Sequence, residues 1–280
     1  MQSILTSSKH VQSSPPIHQL PFTPNNDQVT ANAGSLEHDA AFLARGGDPQ
    51  LLDRPLYYVS KRLLDMTLAI LSFVMLWPLW AAIMIAIKLD SSGPVIFAQE
   101  RVGVRRRIIN GQLQWEQTRF TCYKFRSMRV NADQNLHRKF VEAYIAGDQE
   151  RMQAIQPDKS GTMKFKLNGD PRVTQVGEFL RKTSLDELPQ LWNVLRGDLS
   201  LVGPRPAIPY EVEKYSPWHL RRLEAIQGMT GLWQVKGRGE LGFNEMVALD
   251  VEYVEKQSFW LDIQILFGTI PAVLLSKGAK

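Results

Sequence analysis

From Met66 to Ile87 the chain carries no charged side chain and is apolar almost throughout. A straight helix over this run would be roughly 33 Å long, enough to cross a bilayer core of about 30 Å. Two features modify that first reading. Pro78 sits near the middle, where it removes a backbone hydrogen bond and bends the helix. The flanks are basic on both sides: Arg45, Arg54, Lys61 and Arg62 precede the run, and Lys88, Arg101, Arg105, Arg106 and Arg107 follow it. The positive-inside bias should distinguish the two ends of a spanning helix, yet here both ends read as cytoplasmic. A helix that enters, bends at Pro78 and leaves by the same face satisfies both features, with arms of roughly 14–18 Å. A kinked spanning helix remains the alternative.

The rest of the chain is not a polytopic membrane protein, because mean hydropathy is only -0.21. At 280 residues it has room for one substantial core. Cys122 is the single cysteine, which excludes an internal disulfide and suits a reducing compartment. His10, His18, His38, His137 and His219 have no zinc-ligand spacing, so any metal would be a hard cation on carboxylates. The net charge is +5, but residues 1–55 hold three bases against five acids, so the remainder stands near +7. Such a body suits an anionic partner, namely phosphorylated substrate, acidic lipid or nucleic acid. The same 55 residues are rich in Ser, Gln, Asn and Pro without apolar periodicity, and read as a disordered tail with no secretory leader.

Beyond the anchor, spanning residues 56–90, the pattern is α+β and mostly helical. Pro94–Val102 and Leu113–Tyr123 read as strands joined at the turn dipeptide Asn110-Gly111, a small antiparallel hairpin. Within residues 131–162, Leu136, Phe140 and Tyr144 recur at fourfold spacing in a polar stretch that reads as a helical surface insertion. Short helices are expected at Gly177–Leu180 and at Leu188–Leu195, the second stopping at Gly197. Val212–Ile226 combines aromatic and aliphatic residues with Lys214, Arg221 and Arg222, and Trp260–Leu275 is mostly apolar, with Pro271 expected to bend it. They read either as interfacial amphipathic helices or as ordinary helices facing a core.

The densest polar cluster is Arg181-Lys182-Thr183-Ser184-Leu185-Asp186-Glu187. Ser184-x-x-Glu187 satisfies a capping box, and acids suit a first helical turn. The same turn suits phosphoryl chemistry, with Asp186 and Glu187 dividing the roles of nucleophile and magnesium ligand beside Arg181. Pro204 and Pro206 stiffen the backbone around Arg205, which could then clamp phosphate. The Gly228–Arg238 strip could approach a ligand closely, and Lys124 and Arg126 lie where the hairpin should end; a solvated basic edge is the plainer reading of those two.

These strings carry a resemblance. Lys61-Arg-x-x-Asp65, Gly93-Pro94-Val95-Ile96-Phe97, Gln99-Glu100-Arg101-Val102-Gly103, Lys124-Phe-Arg-Ser-Met128 and Asp170-Pro-Arg172 occur in order. Arg181 to Pro206 and Thr230-Gly-Leu-Trp-Gln-Val235 follow. From Lys61 onward the chain resembles the bacterial sugar transferase family, the monotopic polyprenol-phosphate sugar-1-phosphate transferases. The resemblance implies transfer of a phosphosugar from a nucleotide sugar, usually UDP-linked, to undecaprenyl phosphate. It implies a phosphosugar on Asp186, UMP release, and Mg2+ held by Glu187 and Asp186. It further implies substrate-binding roles for Lys124, Arg126, Arg181, Arg205, Gln234 and Arg238, and an acidic site position at Asp262 of open role. The location implied is the cytoplasmic face of the bacterial inner membrane, with membrane lipid as a partner. Homo-oligomerisation and the identity of the sugar are left open.

The chain departs from the family pattern at two places. Trp77, not serine, precedes Pro78, which weakens a hydroxyl-assisted bend. Gln227 replaces a common proline, which should loosen the following loop. A non-catalytic membrane scaffold for polysaccharide assembly keeps the anchor and discards the chemistry. Nucleic-acid binding is not expected, because no recognition motif accompanies the basic charge.

Overall fold

One helix carries the whole apolar run. In the computed structural model, which describes residues 49–130, 135–155, 172–237 and 241–274, a short helix α1 (Pro49–Leu52) precedes α2 (Pro55–Asp90), which remains helical through Pro78. Pro55 at the first helical position sacrifices no hydrogen bond, since that N–H would have no partner in the helix. The described residues all lie in one compact unit, Asn32–Lys280.

The buried residues of α2 sit at both of its ends. Tyr57, Tyr58, Lys61, Asp65 and Ala69 precede Pro78, and Ile83 and Ile87 follow it. Ala69 joins the main core with Leu191, Val194, Leu201, Tyr253 and Ile265. Ile83 and Ile87 pack with Phe125 and Leu180 in a second cluster. Leu68, Phe73 and Trp80 pack partly against these clusters, while other apolar side chains near the middle are exposed: Val74 is 64%, Met75 68% and Trp77 66% accessible. Each such side chain would gain about 1.5–3 kcal/mol by leaving water. That stripe calls for an apolar surrounding, and α2 is long and apolar enough to cross a membrane.

The hairpin forms as the turn dipeptide predicts, with longer strands. β1 (Ile96–Ile109) pairs antiparallel with β2 (Gln112–Phe125), in a register that sets Gln99 opposite Cys122 and Arg101 opposite Phe120. Asn110 and Gly111 both take positive φ, 52° and 78°, which matches a two-residue loop to the strand twist. Near the tip, the Arg106 guanidinium lies 3.7 Å over the Tyr58 ring and donates to Leu52 O at 2.6 Å. Leu52 is only 1% exposed. The end of the segment expected to be a disordered tail is therefore packed, because the Leu51-Leu52 pair finds an aromatic and basic seat; residues 1–48 lie outside the described residues.

Helices α3 (Asn135–Ala146) and α4 (Gln149–Ile155) fall in the expected insertion. Phe140, Val141, Ala143 and Tyr144 are buried, so α3 sits down on the body by its apolar face. Residues 131–134 and 156–162 of that stretch lie outside the described residues. After α5 (Gln175–Thr183) and α6 (Gln190–Arg196), Gly197 ends α6 in the left-handed conformation at φ 82°.

Two short strands, β3 (Ser200–Val202) and β4 (Gly228–Thr230), pair in parallel. They explain the glycines of both motifs. A Cβ on Gly228 would lie 2.1 Å from Gly203 N, and one on Gly203 would lie 2.1 Å from Ile226 O. The backbones touch because neither residue has a side chain. Gly228 N also donates to Pro204 O at 2.9 Å, fastening the stiff loop that carries Arg205. Gln227 tightens the same junction, where looseness was expected. Its Oε1 accepts from Val104 N at 2.8 Å and its Nε2 donates to Ala225 O at 2.9 Å, so the side chain ties β1 to the loop.

Between the strands, α7 (Pro209–Val212) and α8 (Pro217–Leu220) are single turns. The segment Val212–Ile226 is thus not one interfacial helix. Pro217 interrupts it, and Val212, Tyr215 and Leu223 face the core, as the ordinary-helix alternative holds. Arg222 is buried too, donating to Asp250 and to Tyr215 Oη. Helix α9 (Leu232–Lys236) leads to α10 (Phe243–Lys256) and α11 (Phe259–Leu274). On α11, Trp260 and Phe267 are 67% and 69% exposed while Asp262 and Ile265 are buried.

Candidate active site

Two sequence-local devices build the site. The first is a tight change of direction after α5. Thr174 caps α5 by accepting from Gly177 N at 3.0 Å, and the helix ends at Ser184 with φ 58°. A 3-10 turn, Leu185–Glu187, follows at once. The capping-box alternative for Ser184-x-x-Glu187 is not realised: Ser184 adopts the left-handed conformation and makes no side-chain cap hydrogen bond to the turn. Asp186 and Glu187 are half-buried on this turn. The second device is strand alternation, which points Arg101, Cys122 and Lys124 to one face of the hairpin through their register.

These meet in a cleft of about 240 Å³ lined by Arg101, Cys122, Lys124, Glu187, Gln190, Arg205, Pro206, Gly228 and Met229. Lys124 Nζ donates to Glu187 Oε1 at 2.8 Å, and an Arg205 guanidinium nitrogen lies 3.9 Å from the same oxygen. Arg101 is 6% exposed and donates to Pro206 O at 2.9 Å and Gln99 Oε1 at 2.7 Å. Its burial and the neighbouring Arg205 push its pKa below the ordinary arginine value. Burial pushes the Cys122 thiol up.

The positive field extends under α3. His137 Nδ1 lies 2.9 Å from Tyr210 Oη on α7. Burial first, then Arg101, Arg205, Arg172 and Arg181, push His137 down to about 4, so the imidazole is neutral near pH 7. Arginines from strings far apart in sequence thus act on one ring.

The structure thus brings Lys124, Glu187 and Arg205 together, with Asp186 on the turn beside them. Arg181 is half-buried in the last turn of α5. Gln234 stands one step back: its Nε2 donates to Met229 O at 3.1 Å, steadying a cleft residue. Arg126 is elsewhere. The strand ends at Phe125, and Arg126 turns to the C-terminal end of α2, donating to Ser91 O at 2.6 Å and Ser91 Oγ at 2.9 Å. Asp262 is also away from the cleft lining, 1% exposed, accepting from Lys61 Nζ, Tyr57 Oη and Tyr253 Oη. Arg238 lies outside the described residues. Sequence reading gave no role to Arg101; its signal was its parity with Gln99 on a strand opposite Cys122.

Residues 56–276 match the family of bacterial sugar transferases. The chain is 42% identical over 225 residues to galactosyl transferase CpsE of Streptococcus agalactiae, covering 80% of this chain and 44% of that protein. It is 40% identical over 226 residues to the exopolysaccharide production protein ExoY of Sinorhizobium fredii, covering 81% and 90%. It is 41% identical over 219 residues to the undecaprenyl-phosphate galactose phosphotransferase of Salmonella typhimurium, covering 78% and 41%. The chain therefore spans less than half the length of two of these relatives and most of the third. With four-fifths of its length matched, and Lys124, Glu187 and Arg205 from three separate motifs meeting at one cleft, the chain belongs to the bacterial sugar transferase family.

Proposed function

We propose that the chain transfers a sugar-1-phosphate from a UDP-sugar to undecaprenyl phosphate, releasing UMP, as the initiating step of exopolysaccharide, capsule or O-antigen synthesis. The observation that carries this reading is the Glu187 carboxylate held between Lys124 and Arg205 in a cation-rich cleft, directly after Asp186. The names of the relatives, a galactose phosphotransferase acting with undecaprenyl phosphate and an exopolysaccharide production protein, support the same reaction class.

In this mechanism an Asp186 carboxylate oxygen attacks the β-phosphorus, and the bond from that phosphorus to the bridging oxygen breaks. UMP departs with that oxygen, leaving a phosphosugar on Asp186. A phosphate oxygen of undecaprenyl phosphate then attacks the same phosphorus, and the Asp186 carboxylate is released. Lys124, Arg181 and Arg205 would oppose the charge on the phosphoryl oxygens. Among the described residues no three metal-ligating side chains cluster. Asp186 and Glu187 nonetheless fit the mode in which one or two carboxylates join substrate phosphates and water around Mg2+. Bound there, Mg2+ would supply further neutralisation of the phosphates.

The anchor belongs to this reading. An exposed apolar stripe on α2 suits lipid, and the exposed Trp260 and Phe267 of α11 suit an interface. Both ends of α2 are bonded to the same body, Lys61 to Asp262 before Pro78 and Ser91 to Arg126 after it. A spanning helix would place its two ends on opposite sides of the bilayer. Shared contacts therefore favour a re-entrant helix, and the basic flanks at both ends of the apolar run favour the cytoplasmic face of the inner membrane for the body.

The chemistry is tested by incubating the protein with UDP-hexose and Mg2+ without lipid and searching by mass spectrometry for a phosphosugar on Asp186. An Asp186→Asn variant that releases UMP as fast as wild type would sink the nucleophile. Topology is tested by labelling cysteines introduced at Leu56 and Ser92, with Cys122 replaced by serine. Labelling from opposite sides of the membrane would exclude the re-entrant helix.

A further inference from the structure

We infer that Arg101 is a substrate-anion contact of the cleft, binding a phosphate oxygen alongside Arg205 and Lys124. The inference rests on the phosphoryl-transfer reading and adds a residue to it. Arg101 is the most deeply buried of the cleft's three cations, at 6% exposure. Among the described residues it forms no ion pair: its hydrogen-bond partners are two neutral oxygens, Pro206 O and Gln99 Oε1. Its Nε is buried and makes no hydrogen bond. A buried guanidinium ordinarily finds a carboxylate, because its desolvation is otherwise poorly offset.

The charge of the cleft points the same way. Its lining holds Arg101, Lys124 and Arg205 against the single carboxylate Glu187, an excess of two positive charges. Lys124 and Arg205 both approach Glu187, whereas Arg101 does not pair with it. Among the described residues the buried Glu211 acts on Arg101 only from a distance, without an ion pair. A phosphate entering the cleft would supply the direct anionic contact that Arg101 lacks. Phosphate is the matching chemistry, since a guanidinium presents several donors to its oxygens.

Arg101 is also held ready. Pro206 O ties it to the loop carrying Arg205, and Val102 N donates to Ala207 O at 2.8 Å, locking strand to loop. Gln99 fixes the other nitrogen from two residues away on the same strand face. A phosphate contacting Arg205 would thus meet a second guanidinium already in place.

The phosphate could belong to the UDP-sugar or to the lipid acceptor, and the experiment separates them. Wild type, Arg101→Gln, Arg101→Lys and Gln99→Leu are compared in detergent. Three quantities are read: the KM for UDP-sugar, the KM for undecaprenyl phosphate, and the melting shift given by inorganic pyrophosphate. Arg101→Gln should raise one KM by at least about tenfold and abolish most of the pyrophosphate shift, with Arg101→Lys intermediate. A rise confined to the donor KM assigns the contact to the UDP diphosphate; one confined to the acceptor KM assigns it to the lipid phosphate. If Arg101→Gln does not fold, Gln99→Leu decides, since it leaves the charge and frees one anchor; a smaller loss of the pyrophosphate shift is expected. A folded Arg101→Gln variant with both KM values and the pyrophosphate shift intact overturns the inference, as does an unchanged Gln99→Leu when Arg101→Gln fails to fold. A wild-type protein that binds pyrophosphate through Arg101 but never releases UMP would refute the reaction and leave the anion site standing.

Discussion

Lys61 Nζ lies 2.9 Å from Asp262 Oδ2, with the two side chains 4% and 1% exposed. The pair joins the first half of α2 to the first turn of α11, and it is saturated with hydrogen bonds. Lys61 also donates to Val202 O at 2.8 Å, and Tyr253 Oη donates to Asp262 Oδ1 at 2.7 Å. With Asp65 accepting from Leu201 N at 2.9 Å and Arg62 donating to Leu195 O at 2.7 Å, the Lys-Arg-x-x-Asp string is a clamp between anchor and body.

Removing one member of that pair should therefore be severe. Asp262→Ala leaves a buried ammonium uncompensated and should destabilise the protein by about 3–5 kcal/mol. The double variant Lys61→Met with Asp262→Leu should recover much of that. Thermal unfolding in detergent measures both, and additive losses in the double variant would contradict the coupling.

Lys124 and Arg126 should separate cleanly despite their shared motif. Lys124→Met removes the donor to Glu187 and should lower kcat/KM at least about tenfold with little change in melting. Arg126→Met removes the cap on α2 and should reduce stability by about 1–3 kcal/mol while the KM of the folded fraction stays near wild type. The reverse pattern would show that the two bases had been assigned the wrong way round.

Gly228→Ala should disrupt the β3–β4 contact, because its Cβ would meet Gly203 N at 2.1 Å. Overpacking of this kind costs about 1–3 kcal/mol or more. Since Gly228 N also holds Pro204 O, activity should fall further than stability alone accounts for. Unchanged melting would refute the close approach.

Acid should destabilise the protein through two histidines. Burial is the leading cause that pushes both His137 and His219 down to about 4, against 6.5 when unfolded. The unfolded chain therefore binds more protons as pH falls from 6.5 toward 4, and stability is lost across that window. Each histidine contributes at most about 1 kcal/mol per pH unit. A His219→Asn variant should show a shallower slope of stability against pH between 6.5 and 4 than wild type, with the two converging in behaviour above pH 7. Parallel slopes would exclude the histidine contribution.

Local pattern was enough for the elements whose cause is local. The uncharged run at Met66–Ile87 required one long apolar helix, Asn110-Gly111 required a hairpin, and Gly197 required a helix end; all three hold. Asp186, Glu187, Lys124 and Arg205 were legible as candidates because their motifs are dense and polar. Their neighbours were not. Lys124 and Arg126 are two residues apart and look alike in sequence, yet a strand that stops at Phe125 sends one to Glu187 and the other to Ser91.

By itself, then, the sequence determined a long apolar helix containing a proline, a hairpin, and a short list of groups suited to phosphate. The tertiary structure decided which of them share a cleft, that Asp262 is a buried partner of Lys61, and that Gln227 ties β1 to its loop. It also decided that both ends of α2 rest on one body. The reason is physical. Helix, turn and apolar surface follow from nearest-neighbour geometry, whereas ion pairs and clefts join residues far apart in the chain, and only the packed fold selects which charges meet.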